Sequence, residues 1–316
     1  MANMTTTSQV GPGATLYYDR VLLLRAKPLQ VHNRFAQQRS LPAKNTDTVK
    51  YRRYLSLATA TTALTEGITP AGNSLSVTDM TVQLEQYGSY VTLTDKVQYI
   101  VEDNEMNEAA DILGQQMGET LDELTRDMLA STASVYNCSG GTNGDTPTEL
   151  TYGDIQAVVR TLKRQNAKVF VPYIRGEDRV GTSPVREAYW VMAHTDILDD
   201  LESVTNFVNT AQYPAQQNIE DGEWGAVGNT RWVLTSIGYI NSAASTLSAD
   251  VYSCFTVAKD AYGAVELNEG MMKNIYKPLG HGNDPLDQRH TLGWKAFFGS
   301  RILNDNFMVN LLTTHS

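Results

Sequence analysis

The 316-residue sequence has few cysteines and no long apolar runs, the features that mark disulfide-rich and membrane-embedded proteins. Two cysteines exclude a disulfide scaffold, and we expect Cys138 and Cys254 to be reduced thiols. No window approaches the roughly 18 consecutive apolar residues of a membrane-spanning helix. The longest early apolar run, at 21–24, is too short for a signal-peptide core. A hydrophobic fraction of 41% is still enough to form a folded core.

Charged residues are also scarce, at 19% against about 25% in average usage, and they are unevenly placed. Residues 1–53 hold nine basic and two acidic side chains, a charge of +7, which leaves 16 basic and 33 acidic side chains, or -17, in the remainder. A basic arm on an acidic body predicts an arm that binds nucleic acid or a neighbouring copy of the chain, although such charges are often only solvated. The charge of -17 argues against broad DNA affinity of the body.

Motifs for catalysis, metals and cofactors are missing. The sequence has no phosphate-binding loop, no nucleophile elbow and no paired-histidine zinc motif. The glycine cluster at 140–144 lacks the phosphate-loop lysine and is interpreted as a turn. Residues 103–108 lack the glycine of a calcium loop. A segment near the C-terminus places two histidines around two aspartates, but its spacing on a proline-containing loop does not predict a metal site: His281, Asp284, Asp287 and His290. We therefore expect no cofactor.

The N-terminal third predicts extensions rather than a compact unit. Residues 1–15 read as a loose terminus, and the segment up to 44 is interrupted by prolines and too thin to bury its own apolar side chains. Residues 49–59 have the composition of a strand, 64–73 hold the glycine, proline and asparagine of a loop tip, and 75–94 resume an alternating pattern. Together they predict a long hairpin that projects from the body.

The clearest periodic signal is a helix over 105–133, whose apolar residues recur every three or four positions: Met106, Ala110, Leu113, Met117, Leu121, Leu124 and Met128. Its other faces are acidic, and at 1.5 Å per residue it should be roughly 40 Å long. A second helix is expected from about Thr151 to Gln165, with Thr151 and Asp154 forming a capping box.

The rest of the chain predicts short strands and one short helix near 195–204, without strand–helix–strand alternation, so the fold class is α+β. The expected strands lie at 169–173, 188–193, 231–236, 251–258, 294–303 and 307–313.

The order of arm, hairpin, acidic helix and α+β body resembles the major capsid proteins of tailed bacteriophages, which share the Hong Kong 97-type fold. Several stretches are similar to the branch typified by coliphage N-four, in the expected order along nearly the whole chain: Leu64–Pro70, Gln86–Gly88 with Thr94-Asp95, Leu121-Asp122, Gly222–Arg231, Asp284–Arg289, Gly293–Lys295 and Ile302–Asn304.

The resemblance implies a Hong Kong 97-like division of the chain. It assigns residues 1–44 to an N-terminal arm and 45–98 to an extended loop over a neighbouring subunit. It assigns 99–149 to a peripheral domain with the long spine helix, 150–280 to an axial domain with some peripheral strands, and 281–316 to a C-terminal return to the peripheral domain. No motif fixes the partners of the covalent cross-link found in some relatives.

The resemblance also implies a function without catalysis. Copies of the chain would form pentamers and hexamers of an icosahedral shell around double-stranded DNA, assembled in the host cytoplasm, with no sequence-specific DNA contact and no membrane. Portal and scaffolding proteins would be partners, and decoration proteins stay an open question. The alternatives are a nanocompartment shell of the same fold, which would enclose a cargo enzyme, and a soluble α+β enzyme.

We expect the subunit interfaces to use the arm, the hairpin and the acidic helix. Arm arginines would pair with acids on the helix of a neighbouring copy, and the hairpin would bury its aromatic and tip residues only on assembly. The candidate residues are Arg20, Arg25, Arg34, Tyr51, Tyr54, Glu66, Gly67, Pro70, Glu119, Asp122 and Asp127.

Overall fold

The computed structural model of the protein describes residues 30–42, 46–64, 66–67, 69, 71–96, 105–170, 188–213, 219–241, 250–267, 272–280, 284 and 286–315. Within these residues the chain forms three α-helices and fourteen β-strands. No helix among them combines the length and apolar character needed to cross a membrane.

The first layer is a five-stranded sheet packed against a long helix. Its strands are β1 (Gln37–Leu41), β4 (Glu85–Thr94), β11 (Tyr262–Leu267), β12 (Met272–Lys277) and β13 (Arg289–Ile302). Strand β13 organises the sheet, because its 14 residues pair with β4 along one edge and with β12 and then β11 along the other. The order is β1-β11-β13-β12, with β4 on β13.

Helix α1 (Glu105–Ala130) crosses this sheet and confirms the predicted helix. The expected stripe is buried at its centre, where Ala110, Leu113, Met117 and Leu121 contact Leu292, Trp294, Ala296 and Phe298 of β13. The Trp294 indole N–H also donates to Gln116 Oε1 at 3.2 Å. The apolar periodicity of α1 therefore fixes which face of β13 is covered.

The second layer is a seven-stranded sheet in the order β5-β14-β10-β6-β9-β8-β7. Its strands are β5 (Val135–Asn137), β6 (Tyr189–His194), β7 (Phe207–Asn209), β8 (Glu223–Val227), β9 (Thr230–Thr235), β10 (Val251–Val257) and β14 (Met308–Thr314). Every residue of β6 and β10 is buried, which explains their nearly continuous apolar sequences.

Two shorter helices belong with this second sheet. Helix α2 (Tyr152–Arg164) begins at the predicted capping box of Thr151 and Asp154, and its buried face includes Ile155, Val158 and Leu162. Helix α3 (Leu198–Ser203) follows one helical turn at Thr195–Ile197 and confirms the short helix expected near 195–204.

The predicted hairpin consists of β2 (Thr48–Tyr54) and β3 (Val77–Gln83), which pair antiparallel over seven residues. The expected strand at 49–59 is shorter, because from 55 onwards the chain is irregular and exposed. Only Leu84 separates β3 from β4, so the hairpin continues directly into the five-stranded sheet.

Each sheet combines strands from distant parts of the chain. Strand β14 lies in the seven-stranded sheet, where it pairs with β10 over seven residues. Strand β5 also joins this sheet, by parallel pairing with β14. Strands β11 and β12 belong to the five-stranded sheet.

Candidate assembly surfaces

The extended hairpin, residues 46–84, exposes apolar side chains that its own subunit does not cover. Leu64 is 78% and Leu75 is 68% exposed, and Tyr54, Leu55 and Leu57 also lie largely in solvent. Several exposed large apolar side chains within one segment indicate an interaction surface. A two-stranded ribbon of this kind is marginally stable alone in water, so contact with another surface would stabilise it.

The base of the hairpin is fixed by charge and packing. Asp79 on β3 accepts from the Arg52 guanidinium at 2.9 and 3.3 Å and lies 3.3 Å from Lys50 Nζ. The hydrogen bond from Arg52 lowers the pKa of the Asp79 carboxyl. Tyr51 is half-buried against Gly263 of β11, where a Cβ would come within 3.0 Å of its ring. Burial raises the pKa of the Tyr51 phenol.

Two of the three predicted tip residues lie among the described residues. Glu66 and Gly67 are exposed, and Gly67 adopts a φ of +79°, which favours glycine. Pro70 lies outside the described residues. Tyr51 serves the base of the hairpin, whereas Tyr54, 61% exposed, begins the apolar surface.

The arm is bound to its own subunit over residues 31–41. Val31, His32, Asn33 and Phe35 are buried, and the Phe35 ring stacks on Trp190 with centroids 4.7 Å apart. Strand β1 then pairs in parallel with β11. This part of the arm is therefore integral to the body, contrary to the expectation of a segment too thin to bury itself.

Arg34 also contacts its own chain. Its Nη1 donates to the Asp221 carbonyl at 2.7 Å and lies 3.9 Å from Glu220 Oε2. Arg20 and Arg25 lie outside the described residues. Of the three arginines proposed for the interface, only Arg34 therefore has a described position, and its guanidinium is engaged within the subunit.

The prediction that Asp122 faces a neighbouring copy is wrong, because its side chain is fully buried within its own subunit. Its Oδ1 accepts from the backbone N–H of His32 at 2.6 Å and of Asn33 at 3.3 Å, and its Oδ2 lies 2.7 Å from His32 Nδ1. Both side chains of the pair have no exposed surface. The residue joins α1 to the arm of its own chain.

The other two acids proposed on α1 remain accessible. Asp127 is exposed and accepts from the guanidinium of Arg126, and Glu119 is half-buried and accepts from Gln115 Nε2 at 2.8 Å. Arg126 in turn donates to the Ile237 carbonyl at 3.0 Å, which links α1 to the second sheet.

A buried ion pair inside the Gly222–Arg231 stretch was missed by the sequence analysis. The Arg231 guanidinium donates to both carboxylate oxygens of Glu223 and lies over the Trp190 ring, 4.3 Å from its centroid. Tyr213 donates to the same carboxylate at 3.1 Å, and burial beside Glu223 raises the pKa of its phenol. Trp190 thus contacts both Phe35 of the arm and Arg231 of the ion pair.

The described residues contain no group of three or more histidine, cysteine or acidic side chains able to hold a metal ion. Cys138 and Cys254 are buried free thiols whose pKa values are raised by burial. In the segment with two histidines and two aspartates, Asp284 accepts a hydrogen bond from the backbone N–H of Arg289 at 2.7 Å. Burial lowers the pKa of His290 in the same segment. His281 lies outside the described residues.

Comparison with solved structures identifies the fold. The Cyanophage Pam1 capsid asymmetric unit matches with a TM-score of 0.66 and 15% identity over 92% of both chains. The capsid of Ralstonia phage GP4 matches with a TM-score of 0.67 and 14% identity, over 91% of this chain and 89% of that one. At such identities the likeness shows the fold alone, and it confirms the Hong Kong 97-like capsid fold.

An encapsulin shares this fold more distantly. The holo-SrpI encapsulin complex from Synechococcus elongatus PCC 7942 matches with a TM-score of 0.56 and 6% identity, covering 88% of this chain and 85% of that one. No curated protein sequence matches the chain.

The family follows from a sequence match. A family model described as phage capsid protein matches residues 77–305, so the chain belongs to the phage capsid protein family. Its role is structural and not enzymatic: it is a subunit of the virion capsid and associates with copies of itself to form the shell.

Proposed function

We propose that this protein is the major capsid subunit whose copies form the pentamers and hexamers of an icosahedral shell around phage double-stranded DNA. The observation that carries the proposal is the extended hairpin, which exposes Leu55, Leu57, Leu64 and Leu75 outside the two layers that hold the buried cores of the subunit. These leucines gain burial, at about 25 cal/mol per Å², when the hairpin lies on another copy.

The layers suggest a division of labour within the subunit. We assign the five-stranded sheet and α1 to a peripheral domain, with α1 as its spine helix, and the seven-stranded sheet with α2 and α3 to an axial domain around the five-fold and six-fold centres. The arm and hairpin extend from the peripheral domain. The support for this assignment is the sheet topology together with the resemblance of the sequence to tailed-phage capsid proteins.

The proposal also covers the branch of the capsid family and the proteins that would accompany the subunit. We propose that the chain belongs near the N-four-like branch of the family, and the stretches that resemble this branch support the proposal. A separate scaffolding protein, a portal and assembly in the host cytoplasm would accompany this role. The charge of -17 outside residues 1–53 supports an acidic body that does not adhere to packaged DNA.

The hairpin test uses particle formation as its readout. We expect the expressed chain, alone or with its scaffolding partner, to give closed particles in negative-stain images. Leu55→Ser and Leu57→Ser together should reduce particle yield at least several-fold, while unfolding of the unassembled subunit stays unchanged.

The matched control keeps both positions apolar. Leu55→Met and Leu57→Met should assemble like the original chain, because methionine buries a similar area. Full assembly of the serine variant would refute the assignment of the hairpin to the subunit interface. Failure of the original chain to form any particle, with its scaffold present, would refute the shell proposal itself.

A further inference from the structure

A cleft separates the strands of the hairpin from the body of the same subunit. Its volume is about 310 Å³. Arg53 of β2 and Met80 of β3 line it on the hairpin side, and Asp260, Leu303 and Phe307 line it on the body side. The cleft therefore has largely apolar walls, with one basic and one acidic side chain facing it from opposite sides.

Arg53 carries a buried donor that no described residue accepts from. Its Nε is shielded from solvent and has no hydrogen-bond partner within the described part of the chain. The neighbouring Arg52 differs, because its guanidinium is already paired with Asp79. Since a buried donor without an acceptor is unfavourable, a hairpin position that brings an acceptor to Arg53 is stabilised.

Asp260 offers such an acceptor on a rigid part of the body. It is exposed and forms no ion pair with another described residue. With a φ of +63°, it lies in the tight turn between β10 and β11. The turn is held in place because the Ala261 carbonyl accepts the backbone N–H groups of Leu303 and Asn304 at 2.9 and 3.0 Å.

The hairpin can pivot on the contacts below the cleft. Tyr51 lies against Gly263, and Arg301 Nη1 donates to the Thr81 carbonyl at 2.7 Å, so this level of the hairpin stays on the sheet. Arg53 lies two residues beyond Tyr51, toward the exposed loop. A small rotation about these contacts therefore changes the width of the cleft at Arg53.

Two terms favour a closed cleft. Closure removes apolar surface of Met80, Leu303 and Phe307 from water. It also brings the Arg53 guanidinium to the Asp260 carboxylate, and charge-assisted hydrogen bonds of this kind are stronger than neutral ones. The position described by the structure, with the cleft open, obtains neither gain.

We propose that Arg53 and Asp260 form a latch, which gives the hairpin a second position in which the cleft is closed and the two side chains are paired. The structure describes the open position. The latch is a property of the single subunit, and two discrete hairpin angles are what a ligand or a neighbour can select between. Its use rests on the proposed function, because rings of five and of six copies meet the hairpin at different angles.

Distances between two spin labels test the latch in the unassembled, full-length subunit. The labels are attached at Val77→Cys, at the outer end of β3, and at Asp127→Cys, exposed on α1, while both native cysteines are buried. We expect a second distance population beside that of the open position. Arg53→Gln and Asp260→Asn should each reduce this second population at least several-fold.

The matched control is Arg52→Gln, the same substitution one residue along, which should keep both populations. The exchange of Arg53→Asp with Asp260→Arg should restore the second population, and high salt should weaken it in the original chain because Asp260 is exposed. One distance population in the original chain, or two populations that respond to neither substitution, would overturn the latch. Neither result bears on the shell function, which fails only if the unmodified chain forms no particles.

Discussion

The Asp122 carboxylate holds the start of the described arm on α1. It accepts two backbone N–H groups and contacts the His32 ring, all without exposure to solvent. A buried acceptor with three partners leaves unpaired polar groups behind when it is removed. The residue therefore contributes to the stability of the subunit rather than to contacts between subunits.

Asp122→Ala should lower the free energy of unfolding by about 3 kcal/mol, because it leaves the N–H groups of residues 32 and 33 and the His32 ring without their acceptor. Urea unfolding of the unassembled subunit measures this. Asp127→Ala, an exposed position on the same helix, should change stability by less than about 0.5 kcal/mol. Equal effects of the two substitutions would contradict the buried role of Asp122.

His315 provides a pH dependence with a defined sign. Its Nδ1 lies 2.9 Å from Asp200 Oδ2, and this hydrogen bond raises the pKa of His315 above 6.5. The protonated form is favoured by folding, so the stabilisation is fully present below pH 6.5 and is lost as the pH rises through the raised folded-state pKa. We expect an NMR titration of the His315 ring to have its midpoint above 6.5.

The matched variant for that titration is Asp200→Asn, which keeps the side-chain shape and removes the charge. It should bring the His315 midpoint back toward 6.5. A midpoint that does not respond to this substitution would show that Asp200 is not the cause of the shift.

Among the secondary-structure elements, helix α2 depends on one buried side chain. Asp154 completes the capping box with Thr151 and also accepts the backbone N–H groups of Ser139 and Gly141 at 3.1 and 2.7 Å. It thereby joins the glycine-rich turn at 140–144 to the first turn of α2. This explains why that turn is structural.

Asp154→Ala should destabilise the subunit by about 2–4 kcal/mol, since it removes a helix cap and leaves buried N–H groups unpaired. The midpoint of urea unfolding reports the loss. Asp145→Ala, at an exposed position near the same turn, is the control and should have little effect. A loss below about 0.5 kcal/mol for Asp154→Ala would contradict the role given to this carboxylate.

The helices and strands that could be predicted from the sequence are those whose own residues show an apolar run, an apolar periodicity or a capping motif. The apolar stripe of α1, the capping box of α2 and the apolar strands β6, β9, β10 and β14 are local signals, and all of them are confirmed. Strand β13 was expected only over 294–303, because Gly293 and the polar residues before it hide its first part. The sequence analysis did not predict strands β1, β5, β7, β8, β11 and β12.

The position of Asp122 could not be predicted, because it depends on a contact 90 residues away along the chain. Next to the expected stripe, α1 has a second buried row at Gly118, Asp122, Thr125 and Leu129. Residues 31–35 of the arm contribute to covering it. The Glu223–Arg231 pair was hidden for a related reason, since only the register of β8 on β9 brings the two side chains together.

For the whole molecule, the arm is expected to supply charge at the contacts between copies. With Asp122 buried and Arg34 engaged, the remaining candidates are Arg20 and Arg25 against Glu119 and Asp127 of a neighbour. Each exposed pair contributes only about 0–1 kcal/mol, so repetition around the shell has to supply the effect.

Arg20→Glu with Arg25→Glu should lower shell yield and change its salt sensitivity, because attraction to the acidic α1 becomes repulsion. Sedimentation of assembly mixtures at two ionic strengths measures both. Arg160→Glu with Lys168→Glu makes the same change in net charge at exposed positions outside the arm and should leave assembly nearly unaffected. Unchanged yield and salt sensitivity in the arm variant would remove the arm from the account.

The central claim is that this subunit completes its burial on other copies of itself, and amide hydrogen exchange of residues 46–84 tests it most directly. The measurement compares the unassembled subunit with the closed particle. The account predicts fast exchange across the loop at 55–76 in the subunit and strong protection in the particle. Equal protection of that loop in both states would contradict it.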